Sequence, residues 1–421
     1  MKESPSVHPE GAVNTTDSST PIVCLLLSVL ATFLLCVARG MSSVMIPITL
    51  HERGTSSSMI GVIMALETIA ALLISLFFPV LLRFVTMKAG LVLSTLLRIP
   101  SLLLLAYTAN IYIWTFAVFL NSVGCFIFMI LLQTWIAGMK FKRNKGLMVA
   151  LYSTSISLGF AFGPLLIDYS GRILVLLMPW FQGVVLSGSH ITAAGSGSFN
   201  VRFIFLLSAL LSFSALLPIL AGLYMVPSFR IKGGVGIWKS IMQTKGPMFA
   251  IAMAGVSYFG VCAFITLYGM RNALPLHESA LLLSCFMMGV LLLEAPLTWV
   301  SDFIDRRYVI VIAAFMSMIC AVYLPIAIYV NYQAFILLFL WGGVTGAIYS
   351  TSLALIGDKY EGDELVTANA GYSIMEASGG TAGILLIGSA MDLLGSDGLP
   401  YVIMLASILY FSFALTRYRV V

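Results

Sequence analysis

Five ionisable side chains stand inside long apolar runs of this chain: Arg39, Glu67, Arg98, Glu294 and Glu376. A charge surrounded by hydrocarbon costs about 2.5–3.5 kcal/mol on insertion scales unless it is paired or faces water. Each therefore needs a partner or a task. Glu67 and Glu376 have the chemistry of proton-exchanging carboxylates, and Arg39 and Arg98 that of anion ligands. The two arginines can equally compensate Glu67 in a buried ion pair, and for Arg98 the pair is the expected role. Glu294 stands about two helical turns before Asp302, where a bond to backbone or to neighbouring polar groups competes with any chemistry on a solute. Gln133, Tyr349, Trp135 and Asn369 add hydrogen bonds and aromatic surface suited to a small molecule. Trp135 is equally suited to anchoring at a membrane interface.

Other chemistries are not supported. The four histidines, His8, His51, His190 and His277, fall in the amino-terminal tail or in turns, and the chain contains no HExxH, GxSxG or Walker pattern. The six cysteines (Cys24, Cys36, Cys125, Cys262, Cys285 and Cys320) lie in apolar runs without CxxC spacing and read as small core side chains. No catalytic residue, metal or cofactor is expected, and no nucleic-acid partner.

The elements that must carry these residues are membrane helices. Hydrophobic residues make up 60% of the chain and charged ones 9%, with mean hydropathy +1.04, so water is not its main solvent. About 20 apolar residues cross a bilayer. A window of that length finds twelve segments, near 22–49, 57–80, 88–108, 110–138, 147–168, 201–225, 247–270, 278–300, 308–330, 333–356, 366–390 and 399–416. An even number places both termini on one side. With the termini in the cytoplasm, sixteen lysines and arginines fall on cytoplasmic segments and four, Arg53, Arg172, Arg202 and Arg271, on the other face. That excess orients the chain.

Residues 1–20 read as a disordered cytoplasmic tail without the pattern of a signal peptide. Residues 21–225 form a first six-helix bundle, 226–246 a cytoplasmic linker and 247–421 a second bundle. Within the linker, Ile237-Trp238-Lys239-Ser240-Ile241-Met242 reads as a short helix on the membrane surface. The external segment 168–201 reads as a tolerated insertion, or else as an interfacial lid.

The two halves share punctuation. Gly159 and Gly163, followed by Pro164, recur as Gly379 and Gly383 about 220 residues later, and the turn from Pro79 through Arg83 to Lys88 recurs from Thr298 through Asp302 to Arg307. Duplicated membrane bundles of this kind usually move solutes. Glycines spaced by four allow close helix packing. The repeat equivalents of Glu67 and Glu376 lie near Phe286 and Ser157, so the scaffold is symmetric and its charge is not.

The segment Glu294-Ala-Pro-Leu-Thr-Trp-Val-Ser-Asp302-Phe-Ile-Asp-Arg306-Arg307 resembles the major facilitator loop motif G-x-L-a-D-r-x-G-r-r, with Thr298 and Asp305 in place of its glycines. Gly159-x-x-x-Gly163-Pro164 is similar to the superfamily's glycine-proline motif. Gln133-Thr-Trp135, Arg143-Asn-Lys-Gly146, Gly342 to Tyr349 and Asp358 look like the bacterial subgroup typified by YcaD. The resemblance covers the chain after residue 20. It implies an all-α integral membrane protein of about twelve transmembrane helices in two pseudo-symmetric bundles, acting as a monomeric alternating-access transporter in a bacterial-type inner membrane. The expected cargo is a small polar, charged or zwitterionic solute, coupled to protons. The alternatives are a non-transporting receptor on the same scaffold and a drug/proton antiporter. The resemblance also makes Asp302, Arg306, Arg307 and Glu294 gate residues. Arg83 stands where the first loop usually has an acid, and Val118 near a frequent arginine, so neither that loop's gating nor that arginine's proton relay carries over.

Overall fold

The structure is a computed structural model describing residues 20–138, 151–167, 190–191, 199–225, 237–330, 332–360 and 362–417. The described chain is helical throughout, apart from a two-residue antiparallel pairing of β1 (His190–Ile191) with β2 (Phe199–Asn200). In chain order the first helices are α1 (Thr20–Glu52), α2 (Ser57–Phe84), α3 (Met87–Tyr107), α4 (Ile111–Gly138), α5 (Leu151–Ile167) and α6 (Val201–Gly222). A short α7 (Ile237–Gln243) is followed by α8 (Lys245–Arg271), α9 (Leu276–Val300), α10 (Arg306–Ala327), α11 (Gln333–Gly357), α12 (Gly362–Leu393) and α13 (Gly398–Arg417). Among the described residues, 11 helices are long and apolar enough to span a bilayer, and α5 contributes a shorter apolar helix. Each of the twelve expected segments is thus helical. The tail to Ser19, the linker 226–236 and most of the external segment lie outside the described residues. The short helix expected within the linker is present as α7, with Trp238 and Met242 exposed and Ile241 buried.

Lipid explains why such sequences become helices: every backbone N–H and C=O must be satisfied without water, and only a helix does this within one segment. Leu26, Phe77, Phe116, Leu217 and Leu386 point outward from the bundle. They form the apolar surface that a bilayer would cover.

The core joins the bundle at one end and divides at the other. A large continuous cluster takes in Ile48, Leu50, Ile60 and Trp114 together with Leu267, Tyr268, Leu276 and Leu399. Toward the end that carries Lys88, Arg306, Arg307 and Lys359, called here the basic end, the packing separates. One cluster there joins Leu25, Met87, Leu131, Trp135 and Ile219, and the other joins Ile251, Ile310, Ile356, Tyr372 and Tyr410. A bundle closed at one end and parted at the other leaves a cleft between its halves.

Glycines set how closely the helices meet. A Cβ on Gly163 would lie 2.6 Å from Met41 N and Val37 O of α1, and one on Gly159 would lie 2.7 Å from Phe33 O. Across the repeat, a Cβ on Gly379 would collide with Ala252 O of α8, and one on Gly383 would lie 2.8 Å from Val256 Cα. The α5/α1 and α12/α8 crossings are therefore equivalent, as the duplicated spacing predicts. Pro164 is buried just beyond Gly163, near the end of α5.

Candidate functional site

A cavity of about 270 Å³ occupies the cleft. α4 brings Gln133 to it, α5 Tyr152, α8 Tyr258, α9 Glu294, α11 Tyr349 and α12 Glu376. Gln133, Tyr349 and Glu376 are among the residues expected at a solute site, whereas Glu294, expected as a gate residue, here lines the cavity. Tyr152 and Tyr258 were not foreseen: nothing in their apolar runs marks them off from core, whereas Tyr349 ends the Gly342 to Tyr349 segment that carries the resemblance. The only signal of Tyr152 and Tyr258 is that a buried hydroxyl wants a partner.

Each wall residue is held by its own neighbours. Glu294 accepts a hydrogen bond from Ser350 Oγ of α11 and lies over Gly346, where a Cβ would come within 3.0 Å of the glutamate side chain. Tyr372 donates to Tyr349 O at 2.6 Å, and the two rings meet edge to face with centroids 5.3 Å apart. Tyr152 donates to Met129 O at 3.2 Å. Glu376 lies along the cavity, and among the described residues no donor or cation bonds its carboxylate. It is the wall group with most left to bind.

The remaining charges separate. Arg39 of α1 and Glu67 of α2 form an ion pair, with the guanidinium 5.1 Å and 5.4 Å from the ring centroids of Phe126 and Phe160. They line a different, small void with Ser42, Ser43, Asn121 and Cys125. Arg98 departs from expectation. Its residue is 0% exposed and none of its guanidinium nitrogens finds a hydrogen-bond partner. The expected pairing with Glu67 fails because α3 packs on α4 and α6 while Glu67 belongs to α2 and is engaged by Arg39.

Two further expectations are corrected. Trp135 lies neither at the cavity nor at an interface but in the core, 2% exposed and packed beside Gly222. Asn369 is exposed on α12, away from the cavity lining.

At the basic end, Arg306 reaches Asp302 at 3.7 Å and Asp358 at 2.5 Å, joining the α9–α10 turn to the end of α11. Asp305 rather than Asp302 caps α10, accepting from Arg307 N at 2.9 Å. Arg307 lines a separate surface recess with Lys245, Asp358 and Lys359. These contacts of Asp302 and Arg306 stay within the second half of the chain.

Polar contacts between the halves occur at the opposite end and in mid-bundle. Asp392, in the last turn of α12, accepts from Ser57 N and Ser58 N at 2.8 Å and from Ser58 Oγ at 2.5 Å. Its carboxylate therefore takes up unsatisfied amides at the start of α2, where a negative charge is favoured. Thr68 Oγ1 meets Thr381 Oγ1 at 2.8 Å, and Ser284 Oγ donates to Ala161 O at 2.9 Å. Asp392 was missed because it falls beyond the expected end of its span and pairs with residues more than 330 positions away.

Comparison with known proteins agrees with this architecture. The fold is similar to that of the nucleoside transporter NupG, with a TM-score of 0.73 at 11% identity, covering 94% of this chain and 100% of that one. It is also similar to a bacterial homologue of the human lysosomal transporter Spinster in an inward-facing, unoccupied conformation, with a TM-score of 0.72 at 12% identity over 96% and 97% of the two chains. In sequence, the chain is 24% identical over 285 residues to an uncharacterized MFS-type transporter, YfkF, of Bacillus subtilis, covering 67% of each protein. A second such transporter, from Yersinia pseudotuberculosis, is 21% identical over 66% of this chain and 65% of its own length. The second relative is thus matched over less than two thirds of its length. These relatives are transporters, not enzymes. Residues 247–420, the second half of the chain, match the model of the Major Facilitator Superfamily, and the fold over nearly the whole length is similar to that of these solved transporters.

Proposed function

We propose that the chain is a secondary active transporter that carries a small polar, charged or zwitterionic organic solute by alternating access, coupled to protons. The observation that carries this reading is the cavity between the two halves, closed by packing and by Asp392 at one end and lined by an unbonded carboxylate, Glu376. A receptor on this scaffold would be expected to have a sealed and fully paired core, which the cavity disfavours. Glu376 is the proposed proton carrier. Glu67 is less suited to that task because Arg39 holds it and it lies outside the cavity lining.

The lysine and arginine distribution supports cytoplasmic termini, which makes the basic end cytoplasmic and the described state inward-facing. Asp302, Arg306 and Arg307 would then close the cytoplasmic side when the halves rock together. The two six-helix bundles, 21–225 and 247–421, would be the rocking units, working as a monomer in a bacterial plasma membrane. Within the superfamily, the YcaD-like subgroup is the proposed placement.

The test begins with a thermal-shift screen of the purified protein against metabolites and drugs at two pH values, followed by flux of any hit into proteoliposomes. A coherent class of hits, flux driven by a pH gradient and loss of that coupling in Glu376→Gln are expected. Gradient-driven flux that survives both Glu376→Gln and Glu67→Gln would remove the coupling assignment, and a folded protein that binds and moves nothing would favour the receptor.

A further inference from the structure

The sign of the charge in the central cavity narrows the solute. Its described lining holds two carboxylates, Glu294 and Glu376, and no lysine or arginine. Arg39 acts on Glu376 only from outside the lining, and its charge is already countered by Glu67, with which it pairs beside Phe126 and Phe160 in a separate void. Glu294 receives one hydrogen bond, from Ser350, and the Glu376 carboxylate receives none among the described residues. The aromatic wall matches this charge. Tyr152 spends its hydroxyl on Met129 O, and the Tyr258 hydroxyl faces Met287 Sδ at 3.9 Å, which leaves ring surface to the cavity, as does Tyr349.

We infer that this cavity is an organic-cation site, in which Glu376 and Glu294 supply the counter-charge and Tyr152, Tyr258 and Tyr349 an aromatic enclosure for an amine or quaternary ammonium group. An anion entering it would leave water to meet two carboxylates with no lysine or arginine in the described lining, an unfavourable exchange. A cation gains attraction from both the carboxylates and the ring faces. Gln133 adds a neutral amide that can bond a hydroxyl or carbonyl elsewhere on the solute. The inference refines the solute class within the transporter reading: binding requires the cavity alone, and movement requires the transporter.

The experiment uses the full chain in lipid nanodiscs, titrated calorimetrically at constant ionic strength. The probes are a quaternary ammonium series from tetramethylammonium to benzyltriethylammonium, and sulfonates of matching size. Saturable binding of at least one ammonium ion and of none of the sulfonates is expected. Glu376→Gln should weaken ammonium binding at least tenfold and Glu294→Gln several-fold, with melting temperatures of the free proteins unchanged. Should either glutamine variant fail to fold, Tyr349→Leu and Tyr349→Phe give the second reading, with binding weakened in the first and retained in the second. Sulfonates binding as well as the ammonium ions, no ammonium binding across the series, or ammonium binding indifferent to all of these substitutions overturns the inference. Proteoliposome flux separates it from the transporter reading. Ammonium ions that bind without crossing leave the cation site standing and remove the transporter, whereas a protein that moves only anions does the reverse.

Discussion

Arg39 and Arg98 carry the same charge in the same half of the bundle and meet opposite surroundings. Arg39 has Glu67, and truncating either member of a buried pair strands the other at a cost of about 3–5 kcal/mol. Glu67→Gln is therefore expected to lower the melting temperature in detergent, and the double variant Arg39→Met with Glu67→Met to recover much of the loss. Arg98 is buried with its guanidinium unbonded. Arg98→Met keeps most of its volume, removes an unpaired charge and should raise the melting temperature. An unchanged or lower value would mean that Arg98 is stabilised by something bound beside it. At this scale the sequence announces which residues are unusual, since charge in an apolar run is costly wherever it falls. It cannot announce partners. Glu67 could have served either arginine, and only the packing of α3 on α4 and α6 excludes Arg98.

Helices α9 and α11 approach so closely that neither Gly289 nor Gly342 has room for a Cβ. A Cβ on Gly289 would strike Phe339 O, and one on Gly342 would strike Phe286 O. Overpacking a fixed contact costs roughly 1–3 kcal/mol, and more where the obstacle is backbone. Gly289→Val and Gly342→Val should therefore reduce the yield of monodisperse protein and its melting temperature, as should Gly379→Val at the α12/α8 crossing. Gly357→Ala, where a Cβ meets nothing within 4 Å, should be neutral and serves as the control. The Gly159/Gly163 and Gly379/Gly383 pairs were legible because four-residue spacing keeps two glycines on one helix face. Gly289 has no such companion, and its role emerges only when the second helix is placed against it.

For the molecule as a whole, the described state is held by contacts that the outward-opening movement of the proposed cycle would have to break. Asp392 reaches from the end of α12 to the first amides of α2, so losing it removes a helix cap that also joins the halves. Such a cap contributes about 0.5–2 kcal/mol. Asp392→Ala should shift the two-state balance toward the outward-open form by several-fold, read as a larger population of long distances between spin labels placed at the outer ends of the halves. An unaltered distance distribution would show that packing between α2 and α12, including the Thr68–Thr381 contact, sets the balance alone. Asp302 and Arg306 here bond within the second half, so under the proposed cycle closure at the basic end would belong to another state.

What the sequence determined by itself was the membrane, the helical segments, the duplicated scaffold and the residues too polar for their surroundings. Each follows from local composition or short-range spacing, and lipid permits few alternatives to a helix. Tertiary structure decided which of those residues share a space. It assembled Gln133, Tyr152, Tyr258, Glu294, Tyr349 and Glu376 from six helices around one cavity, sent Arg39 and Glu67 to another, left Arg98 unbonded and set Asp392 on α2. The reason is that a helix fixes the direction of each side chain, while the rotation and crossing of whole helices fix what that direction meets.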